Sequence, residues 1–220
     1  MLDLYLIRHA ESEANVEIEH RVGGSCPASP LTARGEKQAR RVGHRLVSEG
    51  IRFDQIYCSS AVRAVETARL IAHELDYPFE QVGVIEALGE IKMGAWEGQP
   101  REQVYQPHIM AQIKEDPWGF TPPGGESQRD VEKRMLSWVE ETLIPGWQDA
   151  DRRVLIVGHG LAIRCLLRGI LDFSPAHTYK AVLDNTGICQ LKYTPRGWQF
   201  LRFNDSAHLL AQEKLSAKIR

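Results

Sequence analysis

Nothing in this 220-residue chain supplies a covalent or metallic frame. It has only four cysteines, Cys26, Cys58, Cys165 and Cys189, far apart and with no CxxC pair. That excludes a disulfide scaffold and leaves Cys58 and Cys165, in or beside apolar stretches, as small core residues. No apolar run approaches the ~20 residues of a membrane-spanning helix. The N-terminal run is too short for a secretory signal and carries Asp3. A formal charge of -2 gives no global field for nucleic acid or an anionic membrane, so any anion must be held by a local site. Repeats and low-complexity linkers are also missing. The chain is therefore expected to be a single domain, residues 1–220, in a reducing cytoplasm.

Several catalytic signatures are lacking too. There is no GxSxG elbow, no Walker-type phosphate loop and no HExxH. His9-Ala10-Glu11 has the form of half a zinc deaminase site, but the PCxxC half is absent. No metal is expected.

What the chain does have is alternation. Residues 2–7 read as a strand, and residues 32–49 as a helix with Ala39, Val42, Leu46 and Val47 inward. Residues 55–58 form a short strand. The next helix buries Ala61, Ala64, Val65, Ala68, Ile71, Ala72 and Leu75. Residues 86–98, with three glycines, should be loop with some strand, and GFTPPGG at 119–125 is the clearest break. Beyond it a helix turns Val131, Met135, Trp138 and Thr142 inward. An apolar strand at 154–157 leads through Gly158-His159-Gly160 into a helix reaching Leu171, and two strands follow at 188–193 and 198–203. Strands alternating with amphipathic helices indicate an α/β three-layer sandwich, with a largely parallel central sheet flanked by helices.

In such sheets ligands bind off the carboxyl ends of the strands. Two apolar strands end there in histidine, His9 after Arg8 and His159 before Gly160. One such histidine would be unremarkable; two in matching contexts point to chemistry. Neutral imidazole is a competent nucleophile near pH 7. Arginine forks match phosphate oxygens, and Arg63 falls at a helix start, where the dipole also favours an anion. Phosphoryl transfer, which needs a nucleophile, oxygen donors and an acid for the leaving group, fits this inventory.

The blocks LIRHAES, LTARGEKQA, SSAVRAVETA, EALGEIKMGAWEG, PGGES, VGHG and NDSAHL follow one another in order. In that order they resemble the histidine phosphatase (phosphoglycerate mutase-like) superfamily over nearly the whole chain. The resemblance implies that His9 is the nucleophile of a phosphohistidine. Arg8, Arg63 and His159 would hold phosphoryl oxygens, helped by Asn15 and Gly160. Glu90, ahead of Glu86 and Glu97, would protonate the leaving oxygen and then activate water. At a reference pKa of about 4.3 only ~0.2% of a glutamate is protonated at pH 7. Partial burial beside a phosphate should favour the acid, giving an acid-shifted optimum for poor leaving groups. Arg21, in a longer loop lacking the family's usual glutamine and aspartate, would face an anionic group of the substrate or solvent. No cofactor is implied.

Other residues have structural readings. Glu11 and Ser12 should hydrogen-bond the backbone around His9, Glu126 should start the helix after Gly125, and Asp205 and His208 should tie down the C-terminal end. A cap-like insertion around 97–125 would cover the pocket, with Trp96, Tyr105, Trp118 and Phe120 lining it or packing.

The same scaffold carries mutases and hydrolases. Where the mutase pattern has E-R-H-Y-G-x-L-x-G-x-N-K, this chain has Ile91 for the arginine, Met93 for the tyrosine and Arg101 for the lysine. No arginine lies between Arg101 and Arg129, so a bisphosphorylated intermediate meets few counter-charges there. The expected activity is a metal-independent phosphomonoesterase acting on a small phosphorylated metabolite. A cofactor-dependent phosphoglycerate mutase and a non-catalytic phosphate-binding regulator are the alternatives. Beyond the substrate, neither nucleic acid nor membrane is expected as a partner; a homodimer is left open.

Overall fold

The computed structural model describes residues 1–17, 20–146 and 150–210. Six strands, β1 (Leu2–Arg8), β2 (Gln55–Ser59), β3 (Gly83–Ile85), β4 (Arg152–Gly158), β5 (Ile188–Thr194) and β6 (Gly197–Asp205), form one sheet in the order β3-β2-β4-β1-β5-β6. The pairs β3-β2, β2-β4 and β4-β1 are parallel, whereas β5 runs antiparallel to both β1 and β6. Helices cover both faces, as the alternation of elements implied. They are α1 (Glu13–Glu17), α2 (Ala33–Ser48), α3 (Val62–Glu74), α4 (Arg101–Val104), α5 (Pro107–Glu115), α6 (Gln128–Thr142) and α7 (Gly160–Leu171).

The period-2 geometry of a strand explains why Leu4 to Ile7 of β1 form an unbroken apolar run. Leu2, Leu4 and Leu6 meet Val131, Met135, Val139, Ala162 and Leu166 of α6 and α7 in one core. Tyr5 and Ile7 point the other way, into a second core with Val42, Leu46, Ala64, Ala68 and Ile71 of α2 and α3. A strand buried on both faces cannot slip by one residue without exchanging its two sets of partners.

Several local expectations need correction. Val47 is 49% exposed, and the inner stripe of α2 is Ala39, Val42, Gly43 and Leu46. On α6 the stripe continues through Val139 to Leu143, while Thr142 is exposed and Trp138 only packs against the edge of that core. The strand sought within 86–98 lies earlier, at Gly83–Ile85; residues 86–98 carry two single-turn 3-10 helices. Ser127, not Glu126, caps α6, in a reciprocal capping box with Asp130.

The C-terminal tie-down is present. Arg45 grips Asp205 with two bonds, at 2.7 and 2.6 Å, and half-buried His208 meets Thr186 Oγ1 at 2.9 Å. Among the described residues no helix is long and apolar enough to cross a membrane.

Candidate active site

The parallel register that pairs Arg8 with Gly158 brings the ends of β1 and β4 side by side. The His9 N–H donates to the Gly158 carbonyl at 2.8 Å, and the His9 and His159 rings meet edge-on with centroids 5.1 Å apart. Gly35 lets the start of α2 close against this region. A Cβ there would lie 1.9 Å from the Glu11 carbonyl oxygen. The Thr32 N–H donates to that same oxygen.

Two contacts define the state of His9. Its Nδ1 lies 2.7 Å from the Ala10 carbonyl, which only accepts, so Nδ1 carries the proton. Its Nε2 then holds a lone pair, which accepts from Arg63 Nε at 3.2 Å. Burial, then the charges of Arg63 and Arg8, hold its pKa well below the ordinary histidine value. His159 is fully buried beneath the cleft. Burial, followed by His9 and the nearby arginines, lowers its pKa in the same way. Ser59 Oγ, 2.7 Å away, faces its Nε2. Arg8 Nε and His159 Nδ1 are buried with no hydrogen-bond partner among the described residues, an arrangement that costs about 1–3 kcal/mol per group.

The arginines are held by backbone. Arg8 NH1 donates to the Leu183 carbonyl at 2.6 Å, and burial lowers its pKa against the opposing charge of Glu90. Gly160 lets Arg8 lie against the start of α7, since a Cβ there would sit 3.3 Å from Arg8 Nε. Arg63 donates to the carbonyls of Cys26 at 2.7 Å, Ser25 at 3.0 Å and Gly24 at 3.2 Å. Glu97 takes the opposite side of that loop. It accepts from Ser25 Oγ at 2.8 Å, Ser25 N at 3.1 Å and Cys26 N at 3.3 Å, and also from Met93 N at 3.0 Å. The loop is thus clamped between a guanidinium and a carboxylate.

Glu90 lies on the N-terminus of α7. Its Oε1 accepts from Ile91 N at 2.9 Å and Ala162 N at 3.0 Å, its Oε2 from Leu161 N at 3.1 Å. Glu86 is exposed and outside the cleft, and Glu97 is occupied by the clamp. Asn15 Oδ1 accepts from Ser12 N at 3.1 Å and Asn185 Nδ2 at 3.2 Å, which leaves its NH2 as what it can offer a ligand.

A cleft of about 390 Å³ draws together Arg8, His9, Asn15, Arg63, Glu90 and Gly160. Arg21 is not on it: that side chain is exposed and donates to the Gly98 carbonyl at 2.7 Å. Glu11 does not bond the backbone with its carboxylate, which meets Thr32 Oγ1 at 2.8 Å and Arg34 at 2.9 Å. Glu126 accepts from Lys92 N and Arg134, tying α6 to the segment that carries Glu90. Trp118 packs under Arg168, 3.9 Å from ring centre to guanidinium.

Sequence reasoning missed Arg164, Tyr179, Asn185 and Leu183. Arg164 and Tyr179 line the cleft, and Arg164 Nε donates to Gly160 O at 3.0 Å. Its signal was there: four residues after Gly160 on one helix places it on the same face. Asn185 Nδ2 supports the His9 carbonyl at 2.9 Å, and the Thr186 N–H donates to that of Arg8. No local pattern announces those two. Among the described residues no group of three or more His, Cys, Asp or Glu is arranged to hold a metal ion.

The family model described as histidine phosphatase superfamily (branch 1) matches residues 4–206. A 2,3-bisphosphoglycerate-dependent phosphoglycerate mutase of Methylobacterium sp. is 34% identical over 191 residues, 84% of this chain and 88% of that protein. The structure is similar to that of the Entamoeba histolytica phosphoserine phosphatase in complex with 3-phosphoglyceric acid. There the TM-score is 0.79 and the identity 30%, covering 95% of this chain and 100% of the other. It is also similar to the α-ribazole phosphatase of Shigella flexneri, with TM-score 0.76 and 26% identity over 93% and 96% of the two chains.

Proposed function

The chain belongs to the histidine phosphatase superfamily, branch 1, and from that premise we propose that it is a metal-independent phosphomonoesterase, hydrolysing a small phosphorylated metabolite through a phosphohistidine on His9. The observation carrying this reading is the state of His9: its proton is held on Nδ1 by Ala10, and Nε2 is a neutral lone pair beside Arg63.

In this reading His9 Nε2 attacks phosphorus in line while the ester P–O bond breaks. The incoming phosphoryl group replaces the Arg63 Nε–H at that nitrogen. Arg8, Arg63 and His159 hold its oxygens, with the Asn15 amide and the Gly160 segment assisting, and the unpartnered Arg8 Nε and His159 Nδ1 gain acceptors. Glu90 is the acid of this reading and gives its proton to the leaving oxygen. Oε2, with one backbone contact against two on Oε1, is the oxygen positioned to carry it. Glu90 then takes a proton from the water that attacks the P–N bond. Phosphate leaves, His9 is neutral again and Glu90 is re-protonated, so the cycle closes. Arg21, outside the cleft, has no role in it.

Ile91 and Met93, where the mutase pattern carries arginine and tyrosine, give the cleft an apolar wall and favour release to water. The whole chain is one domain in this proposal, with 97–125 as its cap. The four cysteines, all free, support a reducing cytoplasm. The mutase reading also has specific support: the Methylobacterium relative, and Arg101 and Arg164 on the cleft. Counting arginines only between 101 and 129 overlooked Arg164.

The test is phosphate release from a panel of phosphorylated metabolites in EDTA, beside isomerisation of 3-phosphoglycerate primed with its bisphosphate. EDTA-resistant release, cut by about four orders of magnitude in His9→Ala, is expected. Primed isomerisation outpacing release would hand the reading to the mutase. The pH profile tests the nucleophile separately. With an aryl phosphate, whose leaving group needs no acid, the acid limb of kcat/KM should lie well below pH 6.5, because His9 stays neutral there. A limb at the free-histidine value would sink this assignment.

A further inference from the structure

The cleft around His9 does not end at its apolar wall. A second cavity of about 770 Å³ adjoins it, and the two share Ile91, Met93, Arg101, Tyr105 and Tyr179 as lining. The rest of its lining is mainly apolar, from Trp96, Met110, Ile113, Pro117, Phe120 and Pro122, with Glu102, Glu126 and Gln128 as its polar members, and the chamber is open to solvent on one side. Its rings are already ordered against one another. Trp96 stacks on Phe120 at 5.6 Å with 29° between planes and meets Tyr105 edge-on at 6.0 Å, while the Arg101 guanidinium lies 4.7 Å over the Tyr105 ring.

Helix α5 supplies the telling detail. None of its nine residues is buried, although Met110 and Ile113, one turn apart, are apolar and line the chamber. A helix normally buries such a stripe against the core. Here it is turned toward a space that adjoins the cleft of His9, and each of the two cavities falls within the size range of small-molecule sites. A three-carbon phosphate ester would be held by the cleft alone and would leave the aromatic chamber unused.

Resting on the phosphatase reading above, we propose that the chamber receives the alcohol side of the substrate, and that this alcohol is bulky and largely apolar. The phosphoryl group then sits on the His9 floor, the ester oxygen near Glu90, and the carbon skeleton passes between Arg101 and Tyr179 onto Trp96, Phe120 and the face of α5. Small, highly hydroxylated esters are poor substrates on this account.

Two series of compounds test it independently. Isothermal titration with n-alkylphosphonates from ethyl to octyl needs no turnover; affinity should rise roughly two- to fourfold per methylene until the chamber is filled. In Met110→Asp and, separately, Ile113→Asp, the octyl-to-ethyl affinity ratio should fall toward one. Using a ratio keeps the result independent of the active fraction of each variant. Phe200→Asp, at an exposed apolar position on β6, should keep the wild-type ratio. The matching n-alkyl phosphate esters, with leaving groups of nearly equal basicity, should show the same rise in kcat/KM. Equal phosphonate affinities across the wild-type series would overturn the chamber assignment whatever the turnover. A rising affinity series without phosphate release from any ester would overturn the hydrolase reading and leave the chamber as the binding site of an apolar phosphate ligand.

Discussion

The floor around His9 and the chamber beside it are built in opposite ways. The floor is made where β1, β2 and β4 end, from buried or half-buried side chains fixed by single polar contacts: the Ala10 carbonyl on His9, the Leu183 carbonyl on Arg8, the Ser59 hydroxyl on His159. The chamber is made from two short helices and turns, by half-exposed side chains that meet mostly ring to ring. A rigid sheet edge can hold groups to the tolerance that bond-making needs, whereas a helical insertion can be rebuilt without disturbing it. In the reading proposed above, one region sets the reaction and the other the choice of ester.

The largest expected effect lies in the floor. Arg63 bridges His9 and the Gly24–Cys26 carbonyls, so Arg63→Ala should lower kcat by roughly 10³-fold. The loss should be the same for short and long alkyl esters; a loss that depends on chain length would break the division of labour. Glu97 probes the seam between the two regions, because it holds both the Ser25–Cys26 loop and the Met93 backbone of the shared wall. Glu97→Gln keeps the shape but removes the charge and one acceptor. We expect roughly a 10- to 100-fold fall in kcat, a reduced octyl preference, and an unchanged pH profile, since Glu97 positions groups without transferring protons. A displaced pH limb would make it a proton carrier instead.

The smallest effect should come from outside both regions. The Arg45 guanidinium brings the Asp205 carboxyl down to about 2. Its folded value is thus below the unfolded one of about 3.9, so the pair stabilises the fold above pH 4 and loses that contribution as pH falls toward 2. The pair is partly open to solvent, which limits its worth to about 1 kcal/mol. Asp205→Asn should therefore lower Tm by about 2–4 °C at pH 7, by less at pH 3, and leave kcat/KM alone. An equal shift at both pH values would show that charge is not what holds this end.

The same contrast decides what could be read from the sequence. The floor was legible because its parts stand beside strong local signals: Arg8 and His9 close one buried strand, His159 follows another, Arg63 opens a helix. The chamber was not. Trp96 and Phe120 could as well have packed inside the core, and α5 was not foreseen because none of its apolar residues is buried in that core. β3 escaped notice because three residues become a strand only through pairing with β2. Val47 and Thr142 were placed inward by counting turns, yet a stripe about 100° wide leaves its margins in water. Arg21 was left between substrate and solvent by its loop, and the structure turns it outward to the Gly98 carbonyl.

The position of β1 has a temporal consequence. The strand that carries His9 is made well before its neighbours in the sheet, β4 and β5, which are encoded at residues 152–158 and 188–194. Until those segments emerge, β1 has both edges unpaired, its leucines have no α7 to meet, and Arg8 has no Leu183 carbonyl to rest on. Folding must wait for contacts that span most of the chain, a topology associated with slow, cooperative assembly. The nascent polypeptide therefore carries His9 long before the strands and the loop that position it exist.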